Sequence, residues 1–296
     1  MNRISKIIYT AETAIPAFIN IPEGAGPFPA IIFSNGYTAY HEMYDDMAEA
    51  FCRSGYLTLQ YDQRGTAGAR HGFQLCGTEW LDDAAAAVSY VYGMDEVDKD
   101  RIALTGVSMG GAMTLIQGAR DERIKCLYAM APYVNGELNY KKTFLEAHNG
   151  DMEAWKQYQN IMFEDAARVA HGFPSANVPS GFSIFSGLTN PEVPESEKLA
   201  RQKHPLKITS LPYASAYNTY MNVDSLEAAR KINKPVLIVH GTGDSTLDYK
   251  NSYILLDTIP FSEKELKLIP DAEHVLPEVA CDEVTKYGLE FFKKYL

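Results

Sequence analysis

The sequence predicts an α/β fold, a mostly parallel central sheet covered by helices on both faces and interrupted by an inserted, mainly helical cap. Three observations carry this. Short, continuously apolar runs without alternation recur along the chain, as strands buried on both faces require. A helical segment separates each run from the next, which is what crossovers between parallel strands impose. The rhythm stops after Met130 and resumes near Asp224, so a block of different character is let into a regular core.

Taken in order, Arg3 to Tyr9 and Ile15 to Ile21 are expected to form a strand hairpin. Phe28 to Phe33 is a continuous apolar strand, followed by a Gly-containing loop and a helix from Tyr44 to Ser54. Tyr56 to Tyr61 is the next strand. An Ala-rich helix from Leu81 to Tyr92 follows, with Asp82 and Asp83 at the end where carboxylates complement the helix dipole. Strand Arg101 to Thr105, helix Gly110 to Arg120 and strand Ile124 to Met130 continue the alternation. Beyond Ala131-Pro132-Tyr133 the pattern turns helical, with Trp155, Tyr158, Met162 and Ala166 recurring at helical spacing inside Met152 to Ala170. The core is expected to resume with helix Ser225 to Ile232, strand Val236 to His240, helix Tyr249 to Thr258, strand Lys264 to Ile269 and helix Pro277 to Tyr295. The division expected is a core of residues 1–132 and 223–296 with a cap of residues 133–222.

A chain of 296 residues can bury one large core and carry one small module. Its formal charge of −11, with no cluster of Lys and Arg, argues against a nucleic-acid partner, because that binding rests on neutralising phosphates. No apolar run has the length of a signal peptide or a bilayer span, so neither secretion nor membrane insertion is expected. Cys52, Cys76, Cys126 and Cys281 include no Cys-x-x-Cys pair. Neither a zinc site nor a disulfide framework is therefore indicated, and the cytoplasm is the expected compartment.

The residues that carry chemistry begin with Gly106-Val107-Ser108-Met109-Gly110, a Gly-x-Ser-x-Gly pattern set between an apolar strand and a helix. A tight strand-to-helix turn holds its serine in a strained backbone conformation, and leaves no room for side chains at the flanking glycines. It also presents the Ser108 hydroxyl at the carboxyl edge of the sheet, beside a helix N-terminus whose N–H groups can stabilise a developing oxyanion. A serine hydroxyl needs a base. Of seven histidines, His274 follows the last strand in Pro270-Asp271-Ala272-Glu273-His274 and so reaches the same edge. His240 is its competitor but ends a strand, where a packed histidine is common. His41, His71, His148, His171 and His204 read as surface residues, with His71 a possible pocket wall. The carboxylate that would hold the histidine tautomer is Asp244, in the turn after strand Val236 to His240, with Asp248 in reserve.

On these residues the chain resembles the α/β-hydrolases, closest to dienelactone-hydrolase-like and prolyl-oligopeptidase-like esterases and acyl peptidases. The matching stretches are Ile15 to Gly36, Gly55 to Gly65 (Gly-Tyr-Leu-Thr-Leu-Gln-Tyr-Asp-Gln-Arg-Gly), the elbow around Ser108, and Pro235 to Asp244. The chain order Ser, Asp, His agrees with the family. The resemblance implies an oxyanion hole made by the backbone N–H of Met109 and by Tyr37, the latter through its N–H or its hydroxyl. It also implies that Asp62, Arg64 and Gly65 form a structural turn. The chain departs from the family in carrying Asn35-Gly36 where many relatives have His-Gly, and Gly65-Thr66-Ala67-Gly68-Ala69 in place of Gly-x-Gly-x-Ser.

The expected activity is acyl transfer to water through Ser108, His274 and Asp244, on a small-molecule carboxylic ester of modest size, with no metal or organic cofactor. Peptidase action on acyl or aminoacyl groups, carbon–carbon bond hydrolysis and acyl transfer would use the same triad. A non-catalytic binding protein on the same fold is the reading from a different class.

Overall fold

A computed structural model of the chain describes residues 1–36, 39–65, 79–173 and 219–296 in full and the backbone of residues 177–179 and 210–212. Eight strands form the main sheet: β1 (Asn2–Tyr9), β2 (Ala14–Ile21), β3 (Phe28–Ser34), β4 (Leu57–Tyr61), β5 (Val97–Val107), β6 (Ile124–Met130), β9 (Val236–Gly241) and β10 (Lys264–Ile269). Their order across the sheet is β1-β2-β4-β3-β5-β6-β9-β10. The β1–β2 and β2–β4 pairings are antiparallel and all others parallel.

Strand burial explains the two helical layers. Along β3, Ala30 and Ile32 face one cluster of buried apolar side chains while Ile31 and Phe33 face another. Val236 and Ile238 of β9 join the first, Leu237 and Val239 the second. The first face is covered by α2 (Glu79–Tyr92), α3 (Met109–Arg120), α6 (Ser225–Ala229) and α7 (Lys250–Thr258). The second is covered by α1 (Asp45–Arg53), α8 (Leu276–Val279) and α9 (Cys281–Tyr295). The central parallel strands β3, β6 and β9 are buried along most of their length and so lack the alternation of a half-exposed strand, whereas β10 at the sheet edge carries Lys264, Glu265 and Lys267 and is mostly half-buried.

Two expected helices differ from the chain. Ser225 to Ile232 ends at Ala229, where Lys231 and Ile232 close tighter turns onto Ala228 and Ala229, just ahead of Pro235. Pro277 to Tyr295 is split at Ala280, whose backbone (φ −145°, ψ 40°) leaves the helical region.

Between β6 and β9 the chain makes a π-helical turn (Gly136–Lys141), α4 (Lys142–Ala147), α5 (Met152–Ala170) and a small antiparallel pair, β7 (Asn177–Pro179) with β8 (Ser210–Pro212). This pair was not expected of a mainly helical block. Asp151 caps α5 by accepting from Glu153 N–H and Ala154 N–H. The ends of the insertion meet at a neck: Ser225 N–H donates to Val134 O at 2.7 Å, Ser225 Oγ to Tyr133 O at 2.7 Å, and Asn135 bridges Asp224. Trp155, Tyr158, Tyr140, Phe144 and Tyr220 form a third buried cluster with Met109 and Met113 of α3. The insertion therefore packs on the helix that starts at the elbow.

β3 connects through α1 to β4 on one side, while β5 lies on its other side. Such a reversal opens a crevice beyond the carboxyl ends of the two strands, where open α/β sheets bind ligands.

Candidate active site

Ser108 sits in that crevice, between β5 and α3, with φ 59° and ψ −122°, a conformation L-residues rarely adopt. The surroundings enforce it. A Cβ at Gly110 would lie 2.1 Å from Ser34 O, and one at Gly106 would lie 2.6 Å from both Gly110 and Ser34 O. Ser108 N–H donates to Met130 O, and Ser108 O accepts from Ala112 N–H and Tyr133 N–H, so neighbouring strand, helix and post-β6 loop all grip the turn. From below, the buried Tyr44 hydroxyl accepts from Val107 N–H at 2.9 Å and donates to Ser34 O at 2.8 Å. The elbow is thus tied to the end of β3.

Met109 is the first residue of α3, and its N–H has no partner within the helix. Tyr37 lies outside the described residues. The loop leading to it starts from a well-anchored base: Asn35 Nδ2 donates to Tyr61 O at 2.7 Å and to Asp62 Oδ1 at 3.3 Å, and Gln63 Nε2 donates to Asn35 O. A Cβ on Gly36 would lie 3.5 Å from Ser108 Cβ, which shows how close this loop passes to the serine.

The third loop cluster brings Asp244 and His274 together, with His274 Nδ1 at 2.7 Å from Asp244 Oδ2. A carboxylate only accepts, so the His274 proton is on Nδ1 and the Nε2 lone pair is left for a proton from elsewhere. Burial alone would raise the Asp244 carboxyl. The facing His274, with hydrogen bonds from His240 and His274, instead hold it well below the usual carboxylate range. Its side chain is fully buried, and Oδ1 accepts from Thr246 N–H and Leu247 N–H at 2.8 Å each.

The two loops approach so closely that a Cβ at Gly241 would lie 2.0 Å from Ala272 O. Glu273 Oε2 accepts from Ser245 Oγ at 2.9 Å and fastens the same two loops at the surface. Among the described residues the Ser108 hydroxyl has no hydrogen-bond partner, so the structure bonds Asp244 to His274 but neither of them to Ser108.

The other candidates fall elsewhere. Asp248 pairs with Lys142 of α4 at 2.8 Å and accepts from Lys250 N–H, so it links the insertion to the core. His240 is 1% exposed and bonds Ser252 and Asp244. A packed histidine was foreseen there; its contact with Asp244 was missed, although its spacing four residues before Asp244 carried the signal.

His41 is not a surface residue. It is buried under the Phe18 ring, with centroids 3.6 Å apart, and its N–H and Nδ1 contact Asp62 at 2.8 and 2.9 Å. The flat, apolar ring of Phe18 and an acceptor at the end of β4 supply what a buried imidazole needs. His148 stacks on Phe144 and is half-buried, His171 is exposed, and His71 and His204 lie outside the described residues. Among the described residues no group of three or more His, Cys, Asp or Glu side chains is arranged to hold a metal ion. No helix there is long and apolar enough to cross a membrane.

Residues 25–278 match the sequence model of the family described as serine aminopeptidase, S33. An uncharacterised 31.7 kDa protein of the traX-finO intergenic region of Escherichia coli is 25% identical over 93% of this chain and 94% of its own length. A monoacylglycerol lipase of Mycolicibacterium smegmatis is 23% identical over 88% of each chain. The crystal structure of the α/β hydrolase GrgF from Penicillium sp. sh18 superposes with a TM-score of 0.80, at 18% identity, over 100% of this chain and 99% of the other.

Proposed function

From the premise that the chain belongs to the serine aminopeptidase S33 family of α/β hydrolases, we propose that it cleaves a small to medium carboxylic ester, with Ser108 as nucleophile, His274 as base and Asp244 as the acid behind it. The observation that carries the reading is the 2.7 Å bond from His274 Nδ1 to Asp244 Oδ2, in loops at the same sheet edge as the strained Ser108. In this reading Ser108 Oγ attacks the ester carbonyl while its proton passes to His274 Nε2. The resulting oxyanion accepts from Met109 N–H and from Tyr37, each donor contributing about 3 kcal/mol in the transition state.

Collapse expels the alcohol, which takes the proton from His274. Water then attacks the acyl group by the same route in reverse, with Asp244 stabilising the imidazolium in both halves. Residues 133–222, of which 174–176, 180–209 and 213–218 lie outside the described residues, serve in this reading as the cap that selects the substrate, and the enzyme works in the cytoplasm. The likeness to a monoacylglycerol lipase supports an ester as substrate. A second reading, release of an N-terminal aminoacyl group, is favoured by the family description alone.

The test is turnover of p-nitrophenyl esters of graded chain length beside aminoacyl p-nitroanilides. Ester hydrolysis that disappears in Ser108→Ala, with the circular-dichroism spectrum and melting temperature retained, is the expected result. Covalent labelling of Ser108 by a fluorophosphonate should disappear with it. Substantial activity in Ser108→Ala would overturn the assignment, and anilide turnover without ester turnover would favour the peptidase.

A further inference from the structure

We propose that His240 is a positioning residue for this reaction, a second histidine that shares the Asp244 carboxylate with His274 and so sets how strongly Asp244 draws on the His274 proton. The proposal rests on the triad reading above. His240 lies in β9 with its side chain 1% exposed, and its Nε2 faces Asp244 Oδ2 at 2.9 Å and Leu247 O at 3.2 Å. Both are acceptors only, so the ring carries its proton on Nε2. On the opposite edge Nδ1 lies 2.7 Å from Ser252 Oγ, and the neutral ring accepts from that hydroxyl. The tautomer and orientation of His240 are therefore fixed from both sides, which a ring that only filled space would not require.

At Asp244 the consequence is a full set of partners. Oδ2 receives N–H donors from His240 and His274, and Oδ1 receives two backbone N–H groups. A carboxylate with about four acceptor positions is saturated by these four bonds, and its plane is fixed. The other charged groups packed around the loop are engaged elsewhere: Glu273 with Ser245, and Asp248 with Lys142. Without the His240 N–H, more of the carboxylate charge would act on His274, favour its imidazolium form and keep the base protonated to higher pH.

The experiment compares wild type with His240→Phe, which keeps a ring but no N–H, and with His240→Gln, whose amide can donate near the Nε2 position. Two readouts are taken: the pH profile of ester kcat/KM, and the titration of His274 followed by nitrogen-15 NMR without substrate. In His240→Phe the acidic limb and the His274 titration should both move up by about one pH unit, the size of one hydrogen bond to a charged group, with KM near wild type. His240→Gln should restore both.

If His240→Phe does not fold, His240→Asn takes its place, since its shorter amide cannot reach Oδ2, and the same shift is expected. A folded Phe or Asn variant that titrates like wild type would overturn the proposal. So would a Gln variant shifted as far as Phe. Activity surviving in Ser108→Ala would overturn the triad reading instead, and the NMR titration tells the two failures apart because it needs no turnover.

Discussion

At the scale of single residues, Asp244 concentrates the electrostatics of the site. Its carboxyl is depressed in the folded chain and ordinary, near 3.9, in the unfolded one. A group of this kind contributes stability that is present above the unfolded value and is lost as pH falls through the folded one. The stability difference between wild type and Asp244→Asn, measured by urea unfolding, should therefore be greatest above about pH 5 and shrink below about pH 4. In the same variant kcat should fall by roughly four orders of magnitude at neutral pH, because an amide no longer enforces the Nδ1–H tautomer of His274. Ser108, Asp244 and His274 could be singled out in the sequence because each follows a strand of one parallel sheet, and the fold pairs the last two. The role of His41 was not: its partner Asp62 is distant in sequence, and only the folded end of β4 brings the two together.

At the scale of elements, the elbow is a junction between the ends of β3 and β5. Tyr44, which ends the 3₁₀ turn before α1, joins them through its hydroxyl. Tyr44→Phe removes an acceptor for Val107 N–H and a donor to Ser34 O. It should cost about 1–3 kcal/mol by urea unfolding and lower kcat along with it. A sheet-facing tyrosine gives no such signal in a sequence, since its apolar ring alone satisfies the helical pattern. Strand positions were readable for the opposite reason: Phe28 to Ser34, Ile124 to Met130 and Val236 to Gly241 are apolar on both faces, which only a central parallel strand demands. Helix ends were less readable. Ala280 breaks the last helix without any Gly or Pro at the break.

At the scale of the molecule, Arg64 fastens three distant parts. It donates to the fully buried Asp83 of α2 through its backbone N–H, Nε and Nη2, and reaches Thr10 and Glu12 in the turn of the β1–β2 hairpin. Burial raises the Asp83 carboxyl in spite of these bonds, so the pair is costly to leave half-made. Asp83→Ala should destabilise the chain by about 3–5 kcal/mol in denaturant unfolding, whereas Arg64→Met with Asp83→Leu should recover much of that loss. The neck formed by Tyr133, Val134, Asn135, Asp224 and Ser225 bears on how the molecule reaches this state. β6 and β9 are sheet neighbours, yet residues 131–235 separate them along the chain. Loop-closure entropy opposes so remote a pairing and slows it. Once the neck has closed, only the short span from Ser225 to Pro235 remains to be gathered before β9 finds its register. The insertion then presents the assembling sheet with a brief detour in place of a long one.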